Sequence, residues 1–291
     1  MQGFFIRRIS LCLVLASMFP SVVGAEGNLI VNGSFEEGDY SRNNGSWQNV
    51  CSLSISCGPA TAITGWSVDG IVNWHNGAQF IPIQDGSRAV DLSNNGICFD
   101  GRTGALSQTI TTATATTYLL SFYVSAPSNS SGCSGPSYRR LRVIVDGTSM
   151  DFTTAASPNT NISWYHHQIT FTPTSSETTI TFAIPSDEVN GFWGSVIDNV
   201  RVIAFDSDGD GIPDSTDACS ATATGNVIDS TGCSIFDYCP CSGPQSTTWK
   251  NHGAYVACIT HRAREFVNAS LISRDAAAEM VVDAAHSNCG K

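Results

Sequence analysis

Between residues 26 and 204, apolar and polar positions alternate in short runs. In "TTYLLSFYVSA" Tyr118, Leu120, Phe122 and Val124 fall on one face; in "RRLRVIVDG" Leu141, Val143 and Val145 do so before a turn at Asp146-Gly147. "HHQITFTP" repeats the pattern with Ile169 and Phe171, "TTITFAIP" with Ile180, Phe182 and Ile184, and "SVIDNVRVIAF" closes the region. Successive side chains of a strand point to opposite faces, so a period of two marks strands with one buried face. Many such runs, bounded by Gly, Asn, Pro and Ser, predict an antiparallel sandwich or barrel. From Gly38 to Gly77 the rhythm is lost among Gly, Asn, Ser and Trp, and the stretch reads as loop-dominated, stapled by Cys51 and Cys57.

After Cys239 the pattern changes. "NHGAYVACITHRAREFVNA" and "SRDAAAEMVVDAAHSN" are Ala-rich and suited to helices. Ile259, Ala263, Phe266 and Val267 form one apolar stripe; Ala277, Met280, Val281 and Ala284 form another. Ser273 is placed as an N-cap, with Asp275 in the first turn, where the helix dipole favours an acid. So small a helical hairpin needs cross-links to hold its core.

Composition adds the compartment. Charged residues are 13% of 291, about half the ~25% usual in globular proteins. "MQGFFIRRISLCLVLASMFPSVVGA" has a basic start, a short apolar run and a small-residue end, and reads as a secretory leader cut after Ala25. No later stretch is long and apolar enough to span a bilayer. The chain has 11 Cys, and setting Cys12 of the leader aside leaves an even number, as a disulfide framework in an exported protein requires. Chain order suggests Cys51 with Cys57, Cys98 with Cys133 and Cys219 with Cys233; Cys258 and Cys289 remain as partners for Cys239 and Cys241. Zinc held by these last four with His252, His261 or His286 is disfavoured by C-x-C spacing and export. The formal net charge is −11, and the one tight basic cluster is Arg139, Arg140 and Arg142. Arg140 and Arg142 share a strand face and read as solvated, so a nucleic-acid partner is not expected.

"DSDGDGIPDSTDAC" carries the densest candidate chemistry. Asp206, Asp208, Asp210, Asp214 and Asp217 occupy the acidic positions of a twelve-residue calcium loop. Gly211 stands where that loop turns sharply, and Ile212 would offer its carbonyl. Calcium is a hard cation and takes six to eight oxygens from such a loop. The departure is Asp217, where the longer Glu is usual. The flanking helices of an EF-hand are missing. With the trailing Gly232-Cys233, the stretch resembles a bacterial thrombospondin type 3 repeat, which implies a structural calcium that stiffens a connection between domains. Ser220 replaces the Pro often found after the first Cys of that repeat.

The β region carries its own ordered words: "NLIVNGSFEEG", "ITGWSV", "DGSRAVDLS", "GALSQTITT", "TYLLSFYVSA", "WYHHQITFTP" and "VIDNVRV". Together they resemble the DUF642 and choice-of-anchor C families of secreted proteins and, more distantly, carbohydrate-binding modules with the galactose-binding-like jelly roll. The resemblance implies a mainly β, antiparallel jelly-roll sandwich. It also implies that Glu36 and Asp198, with a carbonyl such as that of Ser34, share a structural calcium. Sugars are bound by aromatic faces and by hydrogen-bonding amides, acids and Arg. Trp74 and Trp47, then His75, Tyr138 and Trp193, lie in polar, turn-like sequence and are the candidate ligand contacts; plugging one end of the sandwich is the competing role. Trp66 and Trp164 match recurring family positions and are expected in the core.

Catalytic motifs do not emerge. G-x-S-x-G and H-E-x-x-H are both missing from the sequence. His166 and His167 point to opposite faces of a strand. Among Asp69, Asp85, Asp91 and Asp100, nothing marks two out as an acid–base pair. The expected division is a leader (1–25), a sandwich (26–204), a calcium spacer (205–238) and a Cys-rich helical hairpin (239–291). The expected function is non-catalytic binding of an extracellular polysaccharide or glycan. An envelope or matrix adhesion protein and a cell-wall hydrolase are the alternatives. The hairpin would dock the protein to the cell surface, in which case truncation at Asp237 releases it.

Overall fold

The computed structural model describes residues 27–41, 45–52, 57–77, 81–93, 104–128, 136–158, 161–188, 193–244 and 247–291. The expected leader, the Cys98–Cys133 pair and Asp100 lie outside the described residues.

Among the described residues the β region is antiparallel apart from one short parallel strand pair and one isolated parallel bridge, Pro127↔Ser157. Its strands are β1 (Trp47–Cys51), β2 (Gly58–Pro59), β3 (Ser67–Asn76), β4 (Arg88–Asp91), β5 (Gly104–Thr111), β6 (Tyr118–Ser125), β7 (Tyr138–Val145), β8 (Thr148–Ala155), β9 (Tyr165–Phe171), β10 (Glu177–Ala183) and β11 (Val196–Ala204). One layer runs β8-β7-β10-β5-β3 and the other β3-β4-β11-β6-β9. β3 belongs to both: Ser67 to Gly70 pair with β5, and Asn73 to Asn76 pair with β4. The corner is at Gly70, whose φ of +73° admits glycine readily. The layers fold face to face into a jelly-roll sandwich. Phe122 of one layer meets Phe182 of the other edge-on at 5.2 Å, and Trp66 lies 6.2 Å from Phe182.

The alternating residues are those inside. Leu120, Phe122, Val124, Leu141, Val143, Ile180 and Phe182 are fully buried. Asp146 and Gly147 both take positive φ, as a two-residue hairpin turn between right-twisted strands demands. β8, at the sheet edge, is the weakly patterned partner of β7. The expectation of a loop-dominated 38–77 is corrected: β1 pairs with β3 from Trp47↔His75 to Cys51↔Ile71, and a disulfide joins Cys51 to Cys57. The polar residues there disguise strands because β3 is buried on both faces.

Beyond Ala204 the chain forms the acidic loop and then α1 (Ile235–Tyr238), α2 (His252–Asn268) and α3 (Arg274–His286). Ser273 caps α3 as expected, its side chain accepting from the amide of Ala276. Tyr255, Ile259, Ala263, Phe266 and Ala284 make a small core with Ile235 and Cys239. Disulfides join Cys219 to Cys233, as chain order suggested, and Cys239 to Cys258 and Cys241 to Cys289, which decides the choice left open within the last four cysteines. No helix among the described residues is long and apolar enough to cross a membrane.

Candidate functional site

Three of the expected ligand-contacting aromatics are structural. Trp74 is fully buried, its indole N–H donating to the carbonyl of Phe35 at 2.9 Å. Tyr40 packs edge-on against it at 4.9 Å, and the Arg88 guanidinium lies over its ring at 4.6 Å. His75 and Trp193 are each 1% exposed, their rings 5.0 Å apart and tilted by 34°. Burial pushes the His75 imidazole down to about 3, so it is neutral at physiological pH. These three assignments as ligand contacts are therefore withdrawn. Trp74 belongs to the main core, whereas His75 and Trp193 are covered by a second apolar cluster of Ile81, Ala89, Ile162, Trp193 and Val196. Ala89 and Val196 alternate with Val90 and Ile197 of the main core, so this cluster covers the outer face of the sheet. Trp47 is half-buried with its ring 6.5 Å from His75, and Tyr138 is 43% exposed; both remain accessible. Trp66 is in the core as expected, whereas Trp164 is half-buried at the second cluster, bonded to the carbonyl of Pro82.

A charged network lies at the same covered end. Asp91 accepts from the Ser93 amide and hydroxyl and from the Gly194 amide, at 3.0, 3.1 and 3.0 Å. Burial pushes its carboxyl up to about 7, against those hydrogen bonds and the charge of Arg139. Arg139, the member of the basic cluster whose face the sequence reading left unassigned, is fully buried. It donates to the carbonyls of Trp193, Pro136, Tyr138 and Pro127, and so ties neighbouring loops together. The missed signal was its phase: it alternates in step with Leu141, Val143 and Val145. Arg140 and Arg142 do face outward, paired with Asp151 at 3.1 and 2.7 Å.

The rest of that outer face is open. Its floor is β11, β6 and β9. Asp198, Tyr123 and His166 are cross-strand neighbours in one row, and Arg201, Ser121 and Gln168 in the next. Tyr123 and His166 stack at 4.7 Å with rings 28° apart. His166, Gln168 and Arg201 are exposed, and Tyr123 and Ser121 half-buried. His167 turns the other way, against Phe122 and Phe152, as strand parity predicted. Sequence reasoning overlooked this platform because outward positions of a strand are polar by default.

Asp198 fixes the wall beside the platform. It accepts from the amides of Gln84, Asp85 and Asn199 at 3.1, 2.9 and 2.7 Å, and burial pushes its carboxyl up to about 7. Glu36 grips the same loop through the Ser87 amide, the Ser87 hydroxyl and the Arg88 amide at 2.7, 2.6 and 2.7 Å. It is presented by a turn in which the Asn32 side chain bonds both the amide and the carbonyl of Glu37. Protein donors thus occupy both carboxylates. Ser34, half-buried in that turn, makes no described contact with either.

The acidic loop after β11 is built differently. Asp206 cradles the amides of Gly209 and Gly211 at 2.8 and 2.9 Å, and Asp210 accepts from Ile212 at 2.8 Å. Asp214 accepts from Ser207, and Asp217 from Cys219. Asp206, Asp208 and Asp210 each place a carboxylate oxygen within 4.8 Å of the others. Asp210 Oδ2 and Asp217 Oδ2 are buried without a hydrogen-bond partner among the described residues. Burial, then the charges of Asp208, Asp217 and Asp206, hold the Asp210 carboxyl above its ordinary range. Uncompensated oxygens converging this way fit a hard cation.

Comparison with known proteins adds the family. A curated protein of Arabidopsis thaliana, "Protein DUF642 L-GALACTONO-1,4-LACTONE-RESPONSIVE GENE 1", is 27% identical over 184 residues, covering 61% of this chain and 46% of that protein. The chain thus spans about half the length of this curated relative. Among solved structures, TmCBM61 in complex with β-1,4-galactotriose is similar at a TM-score of 0.38 and 16% identity, covering 62% of this chain and 99% of that one. The CBM22-1 xylan-binding domain of Paenibacillus barcinonensis Xyn10C is similar at a TM-score of 0.31 and 14% identity, covering 48% of this chain and 85% of that one. Structural likeness of this degree is too distant to transfer a ligand. The sequence profile of the family described as "Protein of unknown function (DUF642)" matches residues 28–203, and the chain belongs to that family.

Proposed function

We propose that the protein is a secreted, non-catalytic glycan-binding protein whose contact surface is the open face of β11, β6 and β9. The observation that carries this reading is the stacked Tyr123–His166 pair, bordered by Ser121, Gln168 and Arg201 on a rigid sheet. A sugar offers C–H faces to rings and hydroxyls to amides, hydroxyls and guanidinium groups, and the platform holds all of these within one patch. Disulfides among the described residues suit an extracellular setting. Binding is favoured over bond cleavage because the buried acids hold the fold: Asp198 holds a loop, Glu188 accepts from the Arg140 amide, and Asp91 accepts from Ser93 and Gly194.

The same proposal gives calcium a structural role in the acidic loop, with Asp206, Asp208, Asp210 and Asp217 as carboxylate ligands and Asp214 completing the loop. Bound calcium supplies the charge that these oxygens lack. Calcium at a hundred times its dissociation constant would stabilise the loop by about 2.7 kcal/mol.

The test is a panel of polysaccharides against the full mature chain, with calcium and with chelator. Saturable binding that weakens about tenfold in Tyr123→Ala and His166→Ala, on folded variants, supports the reading. No binding to any glycan by a folded, calcium-loaded protein refutes it. Calorimetry should show calcium uptake lost in Asp210→Asn; uptake unchanged in that variant removes the spacer site.

A further inference from the structure

We infer that the glycan carries carboxylate groups, as a uronic-acid polymer does, and that Arg201 binds them. This rests on the open-face reading above and narrows it to an acidic sugar.

The other described arginines of the sandwich are already engaged. Arg88 is sandwiched with Tyr40 and Trp74 at 4.4 and 4.6 Å. Arg139 is buried on backbone carbonyls, and Arg140 and Arg142 are paired with Asp151. Arg201 is exposed, and among the described residues it makes no hydrogen bond or ion pair through its side chain. Among the described arginines of the sandwich, Arg201 is the one that is both exposed and without a charged partner.

Its position adds a second reason. A bulge between Asp198 and Arg201, with Asn199 at φ +49°, breaks the register of β11 against β6. Val200 and Val202 both enter the core, so Arg201 is turned out onto the open face. It stands one row from the Tyr123–His166 stack, roughly 7 Å along the strand, a spacing comparable with adjacent sugar rings. Asp198, the acid in that neighbouring row, is committed to the amides of Gln84 and Asp85 and leaves Arg201 available.

The chemistry then selects the ligand. A guanidinium presents a planar fork that matches a carboxylate with two parallel hydrogen bonds, whereas a neutral hydroxyl uses only part of it. With one sugar ring on Tyr123 and His166, the carboxylate of the next ring falls to Arg201. The chain's net charge of −11 opposes an acidic ligand at long range, but charges separated by more than ~8 Å are screened at physiological salt.

The experiment uses short oligogalacturonides and their methyl esters, which share one backbone and differ in charge, titrated into the full mature protein by calorimetry. Each titration is run with calcium and with chelator, to separate direct binding from calcium bridging. The expected result is at least tenfold tighter binding of the free acid in both conditions. Arg201→Gln should erase that preference, weakening acid binding at least tenfold and ester binding far less, with the melting temperature unchanged, and Arg201→Lys should restore part of it. Equal binding of acid and ester, insensitive to Arg201→Gln but lost in His166→Ala, overturns the acidic-sugar inference and leaves the glycan reading intact. Acid preference that disappears with chelator also overturns it, because calcium is then the bridge. Tighter binding of a sulfated oligosaccharide of equal length overturns the uronate assignment. If neither probe nor any neutral glycan binds, the glycan reading itself falls.

Discussion

The sandwich and the segment after Ala204 are stabilised by different physics. In the sandwich, Phe35, Trp66, Trp74, Phe122 and Phe182 are fully or almost fully buried in one continuous core across two layers. The helical module has a core of Ile235, Cys239, Tyr255, Ile259, Ala263, Phe266 and Ala284, of which one is a half-cystine. A core that small contributes little beyond the cost of ordering the chain. Its disulfides close spans of 19 and 48 residues and restrict the unfolded chain, while the spacer before it depends on carboxylates. One chain thus uses buried area in one region and covalent or ionic ties in the other. The two should respond to different perturbations.

The largest expected separation comes from the cross-links. Replacing Cys239 and Cys258 together by Ser should cost the helical module about 3 kcal/mol. Hydrogen exchange would show α2 and α3 losing protection while β6 and β10 keep theirs. Equal loss in both regions would mean that the chain unfolds as one unit, and the contrast would be void.

That contrast was partly legible in the sequence, because each kind of stabilisation leaves its own mark. Period-two runs gave β6, β7, β9, β10 and β11, and the Ser273 cap with its Ala-rich continuation gave α3. Cysteine order gave Cys51–Cys57 and Cys219–Cys233, and grouped the last four cysteines without choosing their partners. What stayed hidden was the second layer over β3. In "VNWH" every residue is buried, yet the apolar–polar alternation of Val72, Asn73, Trp74 and His75 looks like one face in water. Periodicity tells which residues share a face, and says nothing of whether a distant loop will cover that face. The same gap left Arg139 unplaced, and it concealed Tyr123, His166 and Arg201, whose meaning comes from being neighbours on three strands.

A smaller effect sharpens the comparison through pH. The Asp91 carboxyl rises from 3.8 to about 7 on burial. Its native form therefore keeps a proton that the unfolded chain has already released. The sandwich should lose stability as pH climbs from about 4 to about 7, by at most ~1.4 kcal/mol per unit from this group. Asp91→Asn keeps an acceptor for Ser93 and Gly194 without the charge. Relative to the parent it should gain on the order of 2 kcal/mol over that range and then level off. Asp198, raised in the same direction, remains in both proteins and cancels in the difference. The melting of the helical module should not follow. A pH-independent difference would show that Asp91 is ionised throughout, balanced by Arg139.

The smallest effect tests the helical module from inside. Ser273 Oγ accepts from the Ala276 amide at 3.1 Å, satisfying one of the donors that a helix start leaves open. Ser273→Ala should cost about 1 kcal/mol, and Ser273→Asp should recover it, since the acid also caps and suits the helix dipole. In the sandwich a loss of that size would be diluted by the large core. In α3, a 13-residue helix that would be marginal alone, it should appear directly as faster amide exchange in the first turn. The loss should show more strongly once Cys241–Cys289 is reduced, because that disulfide ties the end of α3 to the chain before α2. An effect of equal size in oxidised and reduced protein would mean that helix packing, rather than the cross-link, holds α3 in place. The division between a sandwich held by area and a module held by ties would then have to be redrawn.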